Sequence, residues 1–156
     1  MIPAATTTAQ VLALVLVGLL VGAMFGIWRG YDPTTWSAAT FVEAHQGAVR
    51  GLNTLLPAMG LATMVLLVFL AFFARAHPGP LWLYLATLAL MVVAGLITRF
   101  GNQPLNEIVM GWTADAVPQD WAQLRGTWWM WHLARLAAAG LGGLALIAAV
   151  FSDRAA

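Results

Sequence analysis

The chain of 156 residues contains no cysteine and no lysine, and only 8% of its residues carry a formal charge. Without cysteine it can form no disulfide, zinc–thiolate site or cysteine-ligated iron–sulfur cluster, and it has no thiol nucleophile. The net charge of +1 leaves no basic surface for a nucleic acid partner. Soluble domains have about a quarter of their residues charged, so the composition also excludes an ordinary soluble domain.

Hydrophobic residues make up 62% of the chain and are concentrated in four long segments. A helix needs about 20 apolar residues to cross a hydrocarbon layer about 30 Å thick. The four segments that meet this condition are residues 11–28, 53–74, 81–98 and 133–151. The sequence therefore predicts an all-α fold, an integral membrane four-helix bundle that forms one transmembrane domain over residues 1–156.

Polar residues are concentrated in two long connections that leave the bundle on the same side. Residues 29–52 and 99–132 hold four of the seven arginines, five of the six acids and two of the three histidines. The turn between spans two and three is short and contains His77, for which we expect exposure and no role. The positive-inside rule favours the cytoplasm for the side with the long connections. We expect a multi-pass protein of a bacterial inner membrane, in contact with the lipid bilayer.

Both long connections contain signals for helix starts. Asp32 before Pro33 is typical of a helix start, and the next proline is Pro57, where we expect a kink. Pro118 opens a segment without further proline, which predicts a helix over about residues 118–151. We therefore expect helices two and four to extend beyond the bilayer on one side.

The fourth helix carries a stripe of aromatic and polar side chains. Separations of 4, 3, 4 and 3 residues place five of them on one face: Trp121, Arg125, Trp128, His132 and Arg135. An aromatic belt at headgroup depth also explains the tryptophans. Arg135 lies inside the span, where a charge costs roughly 2.5–3.5 kcal/mol, so we expect it to face the bundle interior.

A short amide-rich segment precedes this stripe. Asn102 and Asn106 are one turn apart if the segment is helical, and Pro104 fits the first turn of such a helix. Asn102 either caps this helix or belongs to a site. Asn106 and Glu107 are expected to meet the arginine and histidine face of the fourth helix.

The run Asn102-x-Pro104-x-Asn106, followed by the stripe, resembles the anthrone-oxygenase-like family of small four-span membrane proteins. The resemblance implies a four-helix membrane bundle and the oxidation of a phenolic anthrone to a quinone with molecular oxygen. The residues that it carries over are Asn102, Asn106, Trp121, Arg125, Trp128, His132 and Arg135. In the N-terminal half the resemblance is limited to Gly22, Gln46, Asn53 and Pro57.

Oxidation of a small hydrophobic or phenolic substrate needs a base, and His132 is the candidate because imidazole titrates near neutral pH. Arg125 and Arg135 are candidates for stabilising an enolate or superoxide-like anion, with Asn102 or Asn106 as a hydrogen-bond donor. The residues that we assign to substrate binding are Asn102, Trp121, Trp128 and Glu107. This scheme requires no cofactor.

A second interpretation uses a metal. His45 and His132 precede spans two and four on the same side of the bundle, so they could face each other. Two imidazoles suit haem b, and two histidines with Glu107 suit non-haem iron. Their different distances from the spans, about 10 Å in depth, argue against a single haem unless Pro57 bends the helix.

A third interpretation is a non-enzymatic accessory subunit. Gly18, Gly22 and Gly26 recur every four residues along span one, a pattern typical of close helix packing in lipid. This seam serves packing within the bundle, which we favour, or docks a second copy or a partner subunit. An enzyme should have a cavity among its polar side chains, whereas an accessory subunit should have them paired with no space between.

Overall fold

A computed structural model describes residues 4–155, and this range is mostly helical, without strands. The helices are α1 Ala4–Gly30, α2 Ala38–Leu52, α3 Leu55–Phe73, α4 Pro78–Ile97, α5 Gln103–Met110 and α6 Trp121–Ala155. Four of them, α1, α3, α4 and α6, are long and apolar enough to cross a membrane. This confirms the predicted all-α fold class with four membrane spans, and the protein is a multi-pass membrane protein.

The four long helices pack into a bundle whose outer surface is apolar. The most extensive contact joins α4 to α6, while α3 packs on α1 and α4, and α1 packs on α6. Leu67 and Leu146 are fully buried, whereas Leu61, Val65 and Leu144 are more than 60% exposed. Exposed apolar side chains over such an area would be unfavourable in water, so this surface is suited to lipid.

Glycine permits close helix contact at Gly101, where a Cβ would lie 2.8 Å from the Trp131 ring, and at Gly142, but not along the predicted seam. A Cβ atom at Gly142 of α6 would lie 2.7 Å from Met91 Cε of α4. By contrast, a Cβ at Gly18, Gly22 or Gly26 would meet nothing within 4 Å. The expectation that this seam serves packing within the bundle is therefore wrong for the described residues.

The second predicted helix is divided into two. α2 ends at Leu52 and α3 begins at Leu55, with a turn at residues 53 and 54. Pro57 has no N–H to bond the carbonyl of residue 53, and its ring clashes with that carbonyl in a continuous helix. We expected a continuous helix with a kink at Pro57. The structure instead has a break at residues 53 and 54, about one turn earlier, and Pro57 lies in the first turn of α3.

Other boundaries also differ from the expectation. Asp32 accepts a hydrogen bond from the Thr34 backbone but caps only a 3-10 turn, Pro33–Thr35, and Ser37 is the residue that caps α2. α4 continues through a π-helical turn, Thr98–Asn102, into α5. Pro104 lies in the first turn of α5, as predicted.

The two ends of the bundle have different chemistry. At the end with the short turn, where His77 is exposed, Gln10 Nε2 donates to Tyr84 Oη at 3.0 Å and to Asp153 Oδ2 at 2.8 Å. These bonds link α1, α4 and α6. The opposite end carries α2, α5 and the connection between α5 and α6, and it contains a cavity with polar side chains in its lining.

Candidate functional site

A cavity of about 520 Å³ lies between α2 and the bundle, at the end that carries α2 and α5. Its polar lining consists of His45, Asn53, Thr98, Asn106 and Arg135. Its aromatic lining consists of Tyr31, Trp36, Phe41 and Trp128. A small, mostly apolar space with a few convergent polar groups is typical of a binding site for a small hydrophobic molecule.

The amphipathic helix α2 brings His45 into the cavity. Phe41 of α2 is fully buried and packs in a small apolar cluster with Val42 and Val109 of α5. Gln46 Nε2 donates to the carbonyl oxygens of Val109 at 3.0 Å and Trp112 at 2.9 Å. Val109 lies near the end of α5 and Trp112 lies just beyond it, and the Val109 carbonyl also accepts from the Trp112 backbone N–H at 3.1 Å. Together these contacts hold α2 against α5, with His45 only 6% exposed.

Asn106 of α5 joins three neighbours through its side-chain amide. Trp128 Nε1 donates to Asn106 Oδ1 at 2.8 Å, and His45 Nε2 lies 3.1 Å from the same oxygen. Asn106 Nδ2 donates to Asn53 Oδ1 at 3.4 Å. Because the indole N–H can only donate, the oxygen of the amide faces Trp128 and accepts from both rings.

His45 is neutral at physiological pH and keeps one nitrogen free. The pKa of His45 is lowered from 6.5 to about 4, mainly by burial. The hydrogen bond to Asn106 opposes this decrease, and the nearby positive charge of Arg135 adds to it. Since Nε2 donates to Asn106, the lone pair is on Nδ1. Nδ1 makes no hydrogen bond within residues 4–154. The cavity therefore has a neutral imidazole with an available basic nitrogen.

His132 is fully buried behind Trp128 and does not line the cavity. Its Nε2 donates to the carbonyl oxygen of Met24 in α1 at 3.0 Å, so its Nδ1 accepts from Arg135 Nη2 at 3.0 Å. Its ring stacks on Trp128, with 5.2 Å between the ring centroids. Both nitrogens of His132 are thus occupied, and one of them orients the guanidinium of Arg135.

Arg135 lines the cavity without an acidic partner in the described part of the chain. No carboxylate affects its guanidinium, and its buried Nε has no hydrogen-bond partner. The guanidinium carbon lies 5.9 Å from the centroid of the Trp128 ring. A part-buried cation without an acidic partner favours an anionic ligand, because the surrounding protein screens its charge less than water does.

The remaining predicted site residues lie outside the cavity lining. Asn102 is fully buried and donates to the Trp128 carbonyl at 3.1 Å, instead of capping a helix. The guanidinium carbon of Arg125 lies 4.8 Å from the Trp121 ring centroid, and this pair packs beside Phe41. Glu107 is exposed on α5 and does not approach the arginine and histidine face of α6.

The geometry does not fit either predicted metal centre. His45 and His132 both pack against the ring of Trp128, and His132 has no free nitrogen. Glu107, the expected carboxylate ligand for iron, is exposed. Within the described residues, no group of three or more histidine or acidic side chains is placed to hold a metal ion.

Three aromatic residues of the cavity, Tyr31, Trp36 and Phe41, were missed by the sequence reasoning. A signal for one of them was present, because Phe41, His45 and Leu52 recur at spacings of 4 and 7 residues. That spacing places them on one helical face. Tyr31 and Trp36 have no such periodicity, because they flank the 3-10 turn between α1 and α2.

Comparison with known proteins identifies the family. The anthrone oxygenase family matches residues 46–145, which include α3, α4, α5, most of α6 and the cavity residues Asn53, Asn106, Trp128 and Arg135. His45 lies one residue before the matched region. No curated protein and no solved structure matched the chain. Because the family match extends over more than half of the sequence, the protein belongs to the anthrone oxygenase family.

Proposed function

We propose that the protein oxidises a small, hydrophobic phenolic substrate of the anthrone type with molecular oxygen, in the cavity between α2 and the bundle. Family membership supports an oxygenase-like function. The observation that carries the proposal is the pairing of two groups in one cavity of about 520 Å³. These groups are the neutral imidazole of His45 and the guanidinium of Arg135, which has no acidic partner there.

The aromatic lining suits a flat aromatic substrate. Phe41 is fully buried and Trp128 is 8% exposed, so both rings are held in place by their surroundings. Each favourable pair of aromatic rings adds about 0.5–1.5 kcal/mol of interaction energy to the gain from burying apolar surface. The apolar outer surface of the bundle suits a substrate that partitions into lipid.

His45 is the candidate base. Its Nδ1 removes a proton from the carbon that is to be oxidised, and the electron pair of that C–H bond delocalises into the ring system as an enolate. The enolate reduces dioxygen, and a carbon–oxygen bond forms to give a peroxide. Loss of water from the peroxide leaves the ketone, so one substrate and one O₂ give one quinone and one H₂O. The scheme uses no cofactor.

Arg135 is the candidate for stabilising negative charge. An enolate or a superoxide-like anion bound beside Arg135 would pair with its guanidinium, which has no carboxylate partner among the described residues. Removing one preorganised donor of this kind from an active site typically lowers kcat by about 10²–10³. His132 then has a different role from the base proposed on sequence grounds, because its Nδ1 accepts from Arg135 while its Nε2 is anchored on the Met24 carbonyl.

The same cavity favours an enzyme over an accessory subunit. A subunit that uses polar side chains only for packing should have them mutually paired with no space between. Here Asn53, Asn106 and Arg135 border an open cavity, and the Nε of Arg135 is without a partner.

The test compares two histidine variants of the purified protein in lipid nanodiscs. Oxygen uptake is measured with dithranol, a dihydroxyanthrone, as the probe, and product is followed by its absorbance. His45→Gln should lower kcat by about 10² or more, the usual contribution of a general base. His132→Gln should retain most of the activity, because glutamine can accept from Arg135 and donate to Met24.

Three results would count against the proposal. Oxygen uptake by the wild-type protein at the uncatalysed rate would reject the anthrone-type substrate. Equal activity of His45→Gln and the wild type would reject His45 as the base. Loss of turnover in His132→Gln alone would restore His132 as the base.

A further inference from the structure

We infer that Trp128 is a positioning residue that, through Asn106, selects the tautomer of His45 in which Nδ1 is the basic nitrogen. This inference rests on the proposed role of His45 and adds a role for Trp128 beyond contact with substrate. It depends on one geometric fact. The indole N–H and the imidazole Nε2 approach the same oxygen, Asn106 Oδ1, at 2.8 Å and 3.1 Å.

Of the two rings that meet this oxygen, only the indole has a fixed hydrogen-bonding direction. Trp128 Nε1 is always a donor, whereas each nitrogen of a neutral histidine either donates or accepts. The indole therefore requires an acceptor and fixes the Asn106 amide with its oxygen toward Trp128. His45 Nε2 must then donate to that oxygen, which leaves the lone pair on Nδ1.

The other neighbour of Asn106 cannot make this selection. Asn53 Oδ1 accepts from Asn106 Nδ2 at 3.4 Å, but the amide of Asn53 can itself rotate by half a turn to offer a donor instead. If both amides turned together, their mutual hydrogen bond would survive. The indole N–H of Trp128 would then face the NH₂ group of Asn106, and two donors cannot form a hydrogen bond. Trp128 is therefore the group that opposes the reversed arrangement.

The reversed arrangement would remove the base from the cavity. With the NH₂ group of Asn106 toward His45, Nε2 would accept that hydrogen bond and the proton would move to Nδ1. The lone pair would then be occupied by the amide. In the observed arrangement, His45 can take a proton on Nδ1 while its Nε2–H bond to Asn106 persists, so proton transfer needs no rearrangement.

The surroundings of Trp128 hold the indole in this direction. Asn102 Nδ2 donates to the Trp128 backbone carbonyl at 3.1 Å, and the ring of His132 stacks nearly parallel to the indole, at an interplanar angle of 12°. The role of Asn102 is therefore to support Trp128 from within the bundle. A loosely held indole could turn its N–H away and would not select a tautomer.

The experiment reads the tautomer directly. Protein labelled with ¹⁵N-histidine is reconstituted in nanodiscs, and the protonated nitrogen of His45 is identified by NMR at pH 7, with His45→Gln used for assignment. The matched pair is Trp128→Phe and Trp129→Phe. Both variants keep an aromatic ring on α6, but Trp129 makes no hydrogen bond to Asn106, although its ring also stacks on His132.

The wild type and Trp129→Phe should have the proton on Nε2. Trp128→Phe should give a mixture of tautomers, with kcat lowered about tenfold and KM changed less than about twofold. Adding Asn106→Asp to Trp128→Phe should return the proton to Nε2, because a carboxylate offers only acceptors. A purely structural role of Trp128 would not produce this rescue.

A Trp128→Phe spectrum identical to that of Trp129→Phe would overturn the inference. If Trp128→Phe does not fold, the wild-type spectrum decides, because a proton on Nδ1 of His45 contradicts the inference and a proton on Nε2 supports it. The tautomer is measured without substrate. A confirmed tautomer in a protein that does not oxidise dithranol would therefore reject the proposed function alone.

Discussion

The two buried histidines, one in the cavity lining and one behind it, differ in how much of their hydrogen-bonding capacity is used. His132 has both ring nitrogens occupied, whereas His45 has one nitrogen free, although both are almost completely buried. Burial alone therefore does not identify the residue that is available for chemistry. The partners of each nitrogen do, because a lone pair already engaged with a guanidinium cannot take a proton from a substrate.

The pH dependence of the reaction should report His45. Its pKa is lowered to about 4, and a general base acts only when it is deprotonated. The value of kcat/KM for dithranol oxidation should therefore change little from pH 7 down to pH 5 and fall as the pH passes through about 4. A decline centred near 6.5 would indicate a base of ordinary pKa and contradict the assignment.

Loss of folding must be separated from loss of activity in that profile. The unfolded chain takes up the His45 proton near pH 6.5 and the folded chain only near pH 4. Folding stability contributed by this residue is therefore complete above about 6.5 and is lost as the pH falls from there toward 4. Samples held at each pH and then assayed at pH 7 should recover full activity if the protein has stayed folded.

At the scale of elements, the site depends on interruptions of helices. The break before Pro57 separates α2 from α3 and lets α2 cover the cavity. The π-helical turn Thr98–Asn102 adds a residue to the turn between α4 and α5, and Asn102 at its end supports Trp128. Such turns in long helices are frequently found at functional sites.

The contact between α4 and α6 should be sensitive to side-chain size at one glycine. Gly142→Val should lower the free energy of unfolding by about 1–3 kcal/mol, because a Cβ there would lie 2.7 Å from Met91 Cε and 3.3 Å from Leu90 Cβ. The measurement is thermal or denaturant unfolding in detergent micelles.

Gly140→Val is the control for this substitution. It makes the same change in helix propensity two residues earlier on α6, where a Cβ would meet nothing within 4 Å. Equal destabilisation of the two variants would show that propensity, and not contact with α4, causes the loss.

At the scale of the whole molecule, the two ends of the bundle should lie on opposite faces of the membrane. The end with α2 and α5 contains the cavity, and the end with the short turn contains the Gln10–Tyr84–Asp153 hydrogen bonds. A substrate from the lipid would therefore need to reach only one membrane face. This arrangement follows from four spans that alternate in direction.

The absence of cysteine makes this arrangement directly testable. Single cysteines are introduced in place of three exposed residues, Glu43, Glu107 and His77, and sealed vesicles are treated with a membrane-impermeant maleimide. The cysteines at positions 43 and 107 should react from the same side, and the cysteine at position 77 should react only when the other side is accessible. Labelling of all three from one side would contradict the four-span topology.

The sequence by itself determined the fold class, the four spans and the end of the bundle that holds the polar residues. Apolar runs of sufficient length have few alternatives to a transmembrane helix, because every backbone group must be hydrogen-bonded inside lipid. The run Asn102-x-Pro104-x-Asn106 and the stripe on α6 also carried the resemblance to the correct family. The fold class and the spans are local properties, set by composition and by the length of the apolar segments.

Only the tertiary structure decided which polar side chains share a cavity. Helical periodicity places His132 and Arg135 on one face of α6, but it does not show that Met24 of α1 accepts from His132. Nor does it bring His45 to Asn106, 61 positions later in the chain. Hydrogen bonds between distant segments depend on how the helices pack and where Pro57 interrupts them, and these bonds set which imidazole keeps a free nitrogen.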